Sequence, residues 1–253
     1  MIRFSANLSL LFRELPLLER FAAARAAGFG AAEIQVPYEL PAATLAAAAR
    51  AADLPVVLIN APLGPQGAPG MACRREHRAL FRAGLVRAAE YAHALGAPCV
   101  NVLAGPAAPQ ERAACLEQLA EGLSHAAEAL GAAGARPLLE PINPLDVPSY
   151  CVASFELAAA TLARCDSRVA LQFDVYHAAR MGLDPAAAFT AMHALTAHVQ
   201  FADSPGRHEP GCGALSFEHI FAAIESSGYQ GWTGAEYHPS TPDTRASLGW
   251  LTR

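Results

Sequence analysis

The chain has 253 residues, of which 53% are hydrophobic and 16% charged, with a formal net charge of −5 and a sequence pI near 6.0. This length and composition suffice for one large buried core, and the acidic balance gives nucleic-acid binding little electrostatic support. No apolar run reaches the roughly 18 residues of a membrane span, and the opening residues lack the features of a signal peptide, so a cytoplasmic protein without membrane contact is expected.

Six cysteines are scattered along the chain without a C-x-x-C pair. Chains stapled by disulfides are usually short and dense in cysteine. All six cysteines are therefore expected to be reduced, and their spacing does not indicate a zinc site.

A unit of about 30 residues recurs along the chain, and it consists of a short apolar run, a loop and a longer Ala/Leu-rich stretch with helical periodicity. The eight predicted strands are, in chain order, Arg3–Asn7, Ala32–Val36, Val56–Asn60, Cys99–Leu103, Pro137–Glu140, Val169–Phe173, His198–Phe201 and Thr233–Glu236. Helices are predicted between them, most clearly over Arg75–Leu95 and Gln110–Leu130. Glycines at 28, 96 and 228 are in the positions that close a helix before the next strand.

Eight strands alternating with helices in a chain of this length are typical of a single (β/α)8 TIM barrel, here spanning residues 1–253 as one catalytic domain. A doubly wound open sheet is the alternative. That fold usually has a Gly-rich phosphate turn after its first strand, whereas this chain continues Asn7-Leu-Ser-Leu10. No linker or low-complexity segment indicates a second domain.

Oxygen-bearing side chains end four consecutive predicted strands, and they are Glu140, Asp174, Gln200 and Glu236. Because reacting groups in such barrels sit where strands end and βα-loops begin, these four are expected to converge. Three buried carboxylates repel one another, and a cation relieves that repulsion. Oxygen ligands without thiolate or imidazole indicate one Mg²⁺ or Mn²⁺ ion. The alternative is that the carboxylates pair with arginines distant in sequence.

Three further polar residues fit a substrate pocket beside this cluster. His177 follows Asp174 by three positions, and Arg207 lies in a Gly/Pro-rich loop from which it can grip a carboxylate with two hydrogen bonds. Asp146 either accepts a substrate hydroxyl or caps the helix that begins near Ser154. The acidic chain and this pocket together indicate a small-molecule substrate and leave a homo-oligomer open.

At these residues the chain resembles the hydroxypyruvate isomerase family, within the xylose-isomerase-like barrel superfamily, nearly end to end. The markers are Arg3-Phe-Ser-Ala-Asn-Leu-Ser9, Gly70-Met-Ala-Cys73, Glu140-Pro-Ile-Asn143, Asp146-Val-Pro148, Gln172-Phe-Asp-Val-Tyr-His177, Gln200-Phe-Ala-Asp203, Arg207-His-Glu-Pro-Gly211, Gly231-Trp232 and Glu236-Tyr237. Together they are highly specific, although any one alone would be weak.

The resemblance implies a metal-dependent isomerase that interconverts hydroxypyruvate and tartronate semialdehyde through an enediolate. It matches the metal ligands to Glu140, Asp174, Gln200 and Glu236, and it matches the pair that moves the proton to Glu140 and Glu236. Related ketose epimerases have a His where this chain has Gln200, which favours the isomerase branch. The substrate-contacting positions match His177, Arg207 and Asp146.

Two departures bear on the substrate. The loop Ala61–Gly70 is shorter than is usual in the family, and Cys212 and Ala214 stand where the family commonly has Thr and Glu. Both loops lie on the predicted substrate face. The alternatives on the same scaffold are therefore a ketose 3-epimerase and an isomerase of sugar acids of the 2-oxo-tetronate type.

Two more distant alternatives are a DNA-repair endonuclease and a non-catalytic binding barrel. The endonuclease needs several metals, many histidine ligands and a basic groove, which the acidic composition does not provide. A barrel that only binds a ligand does not require three convergent carboxylates. Both are therefore less favoured than the isomerase.

Overall fold

The structure, a computed structural model, describes residues 1–251. Eight parallel strands form a closed barrel in which each strand pairs with the next and the eighth pairs with the first. The strands are β1 (Arg3–Asn7), β2 (Ala31–Ile34), β3 (Val56–Asn60), β4 (Cys99–Asn101), β5 (Arg136–Leu139), β6 (Ala170–Asp174), β7 (Thr196–Phe201) and β8 (Trp232–Ala235). This confirms the predicted single (β/α)8 barrel.

Helices follow the strands around the outside of the barrel. Within the described residues they are α1 (Leu17–Ala26), α2 (Ala42–Ala51), α3 (Arg78–Leu95), α4 (Arg112–Gly131), α5 (Phe155–Leu162), α6 (Val175–Arg180), α7 (Pro185–Met192) and α8 (Phe217–Ser226). None of these helices is both long and apolar enough to cross a lipid bilayer. Short 3₁₀ turns precede α3 and α4, so both helices begin a few residues later than their periodicity predicts.

Strand composition and helix ends follow simple chemistry. All five residues of β3 are buried, as expected for a parallel strand covered on both faces. Gly96 has φ +65° at the end of α3, and Gly28 and Gly228 also have positive φ just after their helices. These conformations favour glycine, and the three predicted helix ends are confirmed.

The bounds of β1 and β3 match the prediction, and those of the other strands differ from it by at most two residues. The strand predicted over Cys99–Leu103 ends at Asn101, and Ala104 instead forms an antiparallel bridge with Gly70. A side chain on Gly70 would lie 2.2 Å from the carbonyl oxygen of Leu103, so only glycine permits this approach. The bridge draws the loop after β3 against the loop after β4, on the side of the barrel where the predicted site lies.

The barrel interior has an apolar part and a polar part. Leu58, Leu138 and Ala170 form a small apolar cluster contributed by β3, β5 and β6. On the side of β1, β2 and β7, the interior instead holds buried polar residues that bond to one another, and these are Ser5, Glu33, His198 and Gln200. The polar part adjoins the candidate site.

Candidate active site

Three carboxylates meet where the barrel strands end. Glu140 directly follows β5, Asp174 is the last residue of β6, and Glu236 directly follows β8. Arg207 Nη2 lies 2.9 Å from Glu236 Oε2 and 3.8 Å from Asp174 Oδ2. His177 Nε2 lies 3.7 Å from Glu140 Oε1 and 3.6 Å from Asp174 Oδ2. The parallel strands thus bring three of the four strand-end residues together, each at most 5% exposed.

The fourth strand-end residue, Gln200, is paired in register with Asp174 on the neighbouring strand. Its Oε1 accepts a hydrogen bond from Gln172 Nε2 at 2.6 Å, and its Nε2 donates to Glu33 Oε2 at 2.8 Å. The amide is therefore held from both sides. Its oxygen keeps a second lone pair, as any amide oxygen does.

Burial sets the electrostatics of Glu140. Loss of solvent raises the pKa of Glu140 well above its ordinary value, and the carboxylates of Glu236 and Asp174 raise it further. A hydrogen bond from Asn101 Nδ2 to Glu140 Oε2, 2.6 Å long, and the charge of Arg207 act in the opposite direction without cancelling the effect. The site therefore favours a further positive charge near Glu140.

The carboxylates of Asp174 and Glu236 are in a similar electrostatic environment. Burial raises the pKa of Asp174 and of Glu236, and the nearby Arg207 guanidinium lowers both. The predicted alternative of ion pairing thus holds in part, because Arg207 pairs with Glu236. One guanidinium nevertheless faces three buried carboxylates.

The donor set fits a hard divalent cation. It consists of carboxylate and amide oxygens, which Mg²⁺ and Mn²⁺ prefer. Asn101 Oδ1 is a buried oxygen without a hydrogen-bond partner among the described residues. The side chains of Glu140, Asp174 and His177 offer ligand atoms within 4.8 Å of one another. A cation there would offset the repulsion that raises the carboxylate pKa values.

The neighbours of His177 determine which of its nitrogens carries a proton. Asn143 Oδ1 accepts from the backbone N–H groups of Leu145 at 3.1 Å and Asp146 at 2.9 Å, which turns Asn143 Nδ2 toward His177 Nδ1 at 2.7 Å. An amide NH₂ only donates, so Nδ1 must accept and the neutral ring carries its proton on Nε2. Burial lowers the pKa of His177 to about 3, so the ring is neutral at physiological pH.

It follows that His177 presents an N–H to the carboxylate cluster. A protonated ring nitrogen has no lone pair for a metal, so proximity to Glu140 and Asp174 does not make His177 a ligand in this tautomer. Its Nε2–H is instead placed to donate to a substrate oxygen. The prediction that His177 contacts substrate stays a prediction, and the tautomer is compatible with it.

Asp146 belongs to the same group of side chains. Its Oδ2 accepts hydrogen bonds from Tyr176 Oη at 2.7 Å and from Asn143 Nδ2 at 3.1 Å, and Arg180 lies 3.5 Å from its Oδ1. Burial works against its charge, but these hydrogen bonds outweigh it and lower the pKa of Asp146. The alternative that Asp146 caps α5 is wrong, because Ser154 Oγ accepts from the Leu157 N–H and caps that helix itself.

Arg207 lies over the site with its guanidinium stacked on Tyr176, 4.9 Å from the ring centroid. Burial opposes its charge, but the carboxylates of Glu236, Asp174 and Glu140 prevail and raise its pKa. Its Nε is buried without a hydrogen-bond partner among the described residues. Arg207 therefore keeps a free donor beside the carboxylates, as binding of an anionic substrate requires.

Several polar residues of the site were not predicted as site residues from the sequence. Gln35 Nε2 makes a short hydrogen bond to Glu236 Oε1, to which Asn7 Nδ2 also donates at 3.5 Å. The others are Glu33, Asn101, Asn143 and Gln172. The sequence could have identified them, because each is a polar residue within or at the end of a buried run, where polar side chains are uncommon.

Comparison with known proteins places this geometry in a family. A family model described as the xylose isomerase-like TIM barrel matches residues 21–253. A 2-oxo-tetronate isomerase of Cupriavidus necator is 39% identical to this chain over 99% of it and 98% of the relative. The hydroxypyruvate isomerase of Escherichia coli K12 is 35% identical over 99% of the chain and 98% of the relative.

A solved structure is similar over the same extent. The crystal structure of an AP endonuclease, family 2, from Brucella melitensis has a TM-score of 0.95 and 36% identity, and it covers 100% of this chain and 98% of that one. The two backbones are therefore nearly the same. Fold similarity by itself does not decide between an endonuclease and an isomerase.

Proposed function

Because the chain belongs to the hydroxypyruvate isomerase family of xylose isomerase-like TIM barrels, we propose that it is a metal-dependent aldose–ketose isomerase of a small hydroxy-carbonyl acid. The preferred reaction is hydroxypyruvate to tartronate semialdehyde. Both compounds have the same composition, so the reaction moves hydrogen between two adjacent carbons and needs no external oxidant or reductant.

One observation carries the proposal. Glu140, Asp174 and Glu236 lie at the ends of β5, β6 and β8 and are buried together, and among the described residues Arg207 is the guanidinium that contacts Asp174 and Glu236. Such an arrangement is costly unless a cation and an anionic or polar ligand complete it. Structural ion pairs do not account for three carboxylates and one arginine.

We assign the ion to Glu140, Asp174, Gln200 and Glu236, with Mg²⁺ or Mn²⁺ as the candidates. When bound, such an ion polarises the carbonyl and hydroxyl oxygens of the reacting two-carbon unit and makes its C–H bond more acidic. Asn101 Nδ2 donates a hydrogen bond to Glu140, and Gln35 Nε2 donates one to Glu236. These hydrogen bonds restrict the orientation of both carboxylates.

The proton transfer itself falls to Glu236 and Glu140. Glu236 accepts hydrogen bonds from Gln35, Asn7 and Arg207, which favour its carboxylate form and suit it to remove the C3 proton of hydroxypyruvate. The electron pair left at C3 forms the C2–C3 double bond of an enediolate. Glu140 then delivers a proton to C2, the O3 hydroxyl proton passes to O2, which becomes the C2 hydroxyl, and C3 becomes the aldehyde. The proton held by Glu236 returns to Glu140 before the next turnover.

The remaining pocket residues hold the substrate. Arg207 has an unpartnered Nε–H and a second nitrogen on Glu236, so it can bind the substrate carboxylate beside the base. The His177 Nε2–H donates to a substrate oxygen, and Asp146 supports it through Asn143. A neutral sugar would leave the Arg207 donor without an anion.

A second candidate is isomerisation of a 2-oxo-tetronate. The relative from Cupriavidus necator carries that name, and the substrate has the same carboxylate and reacting unit with one more carbon. The loop 61–70 and the positions Cys212 and Ala214 lie on the substrate face, and they are where the two acids would be discriminated. Chain length of the acid is therefore the first variable to test.

The experiment is a substrate panel run in D₂O with Mg²⁺, with Mn²⁺ and after EDTA treatment. We expect metal-dependent conversion of hydroxypyruvate or 2-oxo-tetronate, with solvent deuterium entering at the carbon that receives the proton. Inversion of a ketose at C3 without isomerisation would establish the epimerase alternative. Cleavage of abasic DNA with no turnover of the acids would establish the endonuclease alternative.

A further inference from the structure

Glu33 on β2 is a buried charged residue to which the proposed reaction assigns no role. It is 1% exposed, and every residue of its strand is buried. A carboxylate in such a place is costly unless hydrogen-bond donors surround it. Its partners therefore indicate what the residue is for.

The donors to Glu33 come from across the barrel. Ser5 Oγ on β1 lies 2.6 Å from Glu33 Oε1, and His198 Nε2 on β7 lies 2.8 Å from the same oxygen. The second oxygen, Oε2, accepts from Gln200 Nε2 at 2.8 Å. The carboxylate thus bridges strands that are not neighbours in the barrel, since β8 and β1 lie between β7 and β2.

Strand β8 leaves room for this carboxylate. A side chain on Gly234 would lie 1.9 Å from Glu33 Oε1, a distance at which no atom fits. Gly234 is paired in register with both Ser5 and Gln200, so the gap opens at the level of the two bonded side chains. The packing of three strands is therefore arranged around the Glu33 carboxylate.

The consequence concerns the direction of the Gln200 amide. The two ends of a glutamine amide have nearly the same shape, so packing alone does not choose between them. A carboxylate oxygen accepts and repels a carbonyl oxygen, so Glu33 requires Nε2 on its side. Gln200 Oε1 is thereby directed away from Glu33, where it meets Gln172 Nε2 at 2.6 Å and keeps one lone pair.

We propose that Glu33 is a positioning residue that fixes the Gln200 amide with its oxygen available to the divalent ion. This inference rests on the proposed function only in taking Gln200 as a ligand. Residues that orient the ligands of a metal typically contribute 10–100-fold to its affinity. Glu33 touches neither substrate nor ion and acts through Gln200.

The test compares Mn²⁺ binding by wild type, Glu33→Gln and Ser5→Ala, measured by electron paramagnetic resonance of the free ion at a temperature where all are folded. Glu33→Gln keeps the shape but removes the charge that repels the Gln200 oxygen. We expect its Mn²⁺ affinity to fall by about 10–100-fold. Ser5→Ala is the matched control, because it removes a donor to Oε1 and leaves the Gln200 contact intact, and it should keep wild-type affinity.

The outcomes separate the two proposals. Absence of Mn²⁺ binding by wild type would overturn the proposed function and this inference with it. Wild-type affinity in Glu33→Gln, with wild type binding normally, would overturn only the role of Glu33. Equal losses in Glu33→Gln and Ser5→Ala would also overturn it, since a general loosening of the barrel would then explain both.

A measurement on wild type covers the case in which Glu33→Gln does not fold. In protein labelled with ¹³C,¹⁵N-glutamine, the Gln200 Nε2 proton that bonds to Glu33 should exchange slowly with solvent. Addition of Mg²⁺ should shift the Gln200 ¹³Cδ signal and leave that proton protected. Rapid exchange, or a ¹³Cδ signal that Mg²⁺ does not move, would refute the assignment.

Discussion

The number of hydrogen-bond donors distinguishes the two glutamates to which we assign the proton transfer. Glu236 accepts from Gln35, Asn7 and Arg207, whereas Asn101 is the side chain that donates to Glu140 in the described structure. On that difference we assign Glu236 as the base and Glu140 as the acid. A variant that keeps the donors in place but removes the base is therefore the direct test.

Glu236→Gln is such a variant. Because Gln has nearly the same shape, the fold should survive, but the amide cannot accept the C3 proton. We expect kcat to fall by about 10²–10⁴, the usual contribution of a positioned general base. Steady-state rates and the melting temperature should be measured together. Near-normal turnover in a folded, metal-bound variant would move proton abstraction to another residue.

Asn143→Asp tests the tautomer of His177. A carboxylate beside His177 Nδ1 accepts instead of donating, so the ring proton should move to Nδ1 and leave Nε2 without its N–H. The lost donor to a substrate oxygen should cost about 1.5–3 kcal/mol if the substrate group is charged. This corresponds to a decrease in kcat/KM of about 10–150-fold.

The tautomer itself can be read from the ¹⁵N shifts of the His177 ring, which differ between protonated and unprotonated nitrogens. Wild type should show the proton on Nε2, and Asn143→Asp should show it on Nδ1. An Nδ1–H in wild type would contradict the assignment. The unprotonated Nε2 of the variant should also improve binding of Zn²⁺ relative to Mg²⁺, because imidazole suits zinc.

At the scale of one element, the loop after β7 carries Arg207 and is organised by one carboxylate. Asp203 accepts hydrogen bonds from the backbone N–H groups of Gly211 at 2.9 Å, Gly213 at 2.8 Å and Leu215 at 3.1 Å. Arg207 itself has φ +55°, a left-handed conformation that costs free energy for a residue other than glycine. The Asp203 hydrogen bonds hold the loop in this shape.

Gly213→Ala should disturb that loop selectively. Its Cβ would lie 2.3 Å from the Ser204 oxygen and 2.4 Å from Asp203 Oδ1, so the loop must move. A displacement of about 1 Å in a positioning group can lower the rate by about 10²-fold. We expect such a loss in kcat/KM for hydroxypyruvate and a smaller one for glyceraldehyde, which has no carboxylate for Arg207 to bind.

Gly249→Ala is the control for this substitution, because an added Cβ there would meet no atom within 4 Å. It should leave both substrates unaffected and the melting temperature unchanged. Equal losses on the two substrates in Gly213→Ala would mean that the loop positions the reacting oxygens and not the carboxylate. That result would weaken the assignment of Arg207 as the carboxylate-binding residue.

At the scale of the whole molecule, the three buried carboxylates link stability to pH and metal. The pKa values of Glu140, Asp174 and Glu236 are raised in the folded state. Between their ordinary and raised pKa values the folded chain therefore binds more protons than the unfolded chain, and stability contributed by these groups falls as pH rises. His177, whose pKa is lowered, acts in the opposite sense and loses stability as pH falls below about 6.5.

The stabilisation by a metal ion reports the contribution of the carboxylates to the pH dependence of stability, because His177 stays neutral with and without the ion. The stabilisation by Mn²⁺ should increase from pH 5 to pH 7.5, since protons compete with the ion for the same oxygens. At a free ion concentration of about 100 times Kd, the melting temperature should rise by about 5–10 °C. Thermal scans with Mn²⁺ and with EDTA across this pH range provide the measurement. A rise that is independent of pH would argue against carboxylate ligands.

The sequence by itself determined the architecture and the location of the site. Alternation of apolar runs and helical periodicity predicted the closed barrel, because burial on both faces and the 3.6-residue repeat are local properties of the chain. Residues at the carboxyl ends of parallel barrel strands meet at one edge of the barrel, so Glu140, Asp174 and Glu236 could be placed together from the sequence.

Only the tertiary structure decided how those residues are oriented. The contacts that matter join residues distant in sequence, such as Glu33 with Gln200 and Gln35 with Glu236. No local pattern encodes them, because they depend on which side chains the closed barrel brings face to face across its interior. The tautomer of His177, the direction of the Gln200 amide and the pairing of Arg207 with Glu236 follow from such contacts, since a hydrogen bond needs its partner within about 3 Å and correctly aligned.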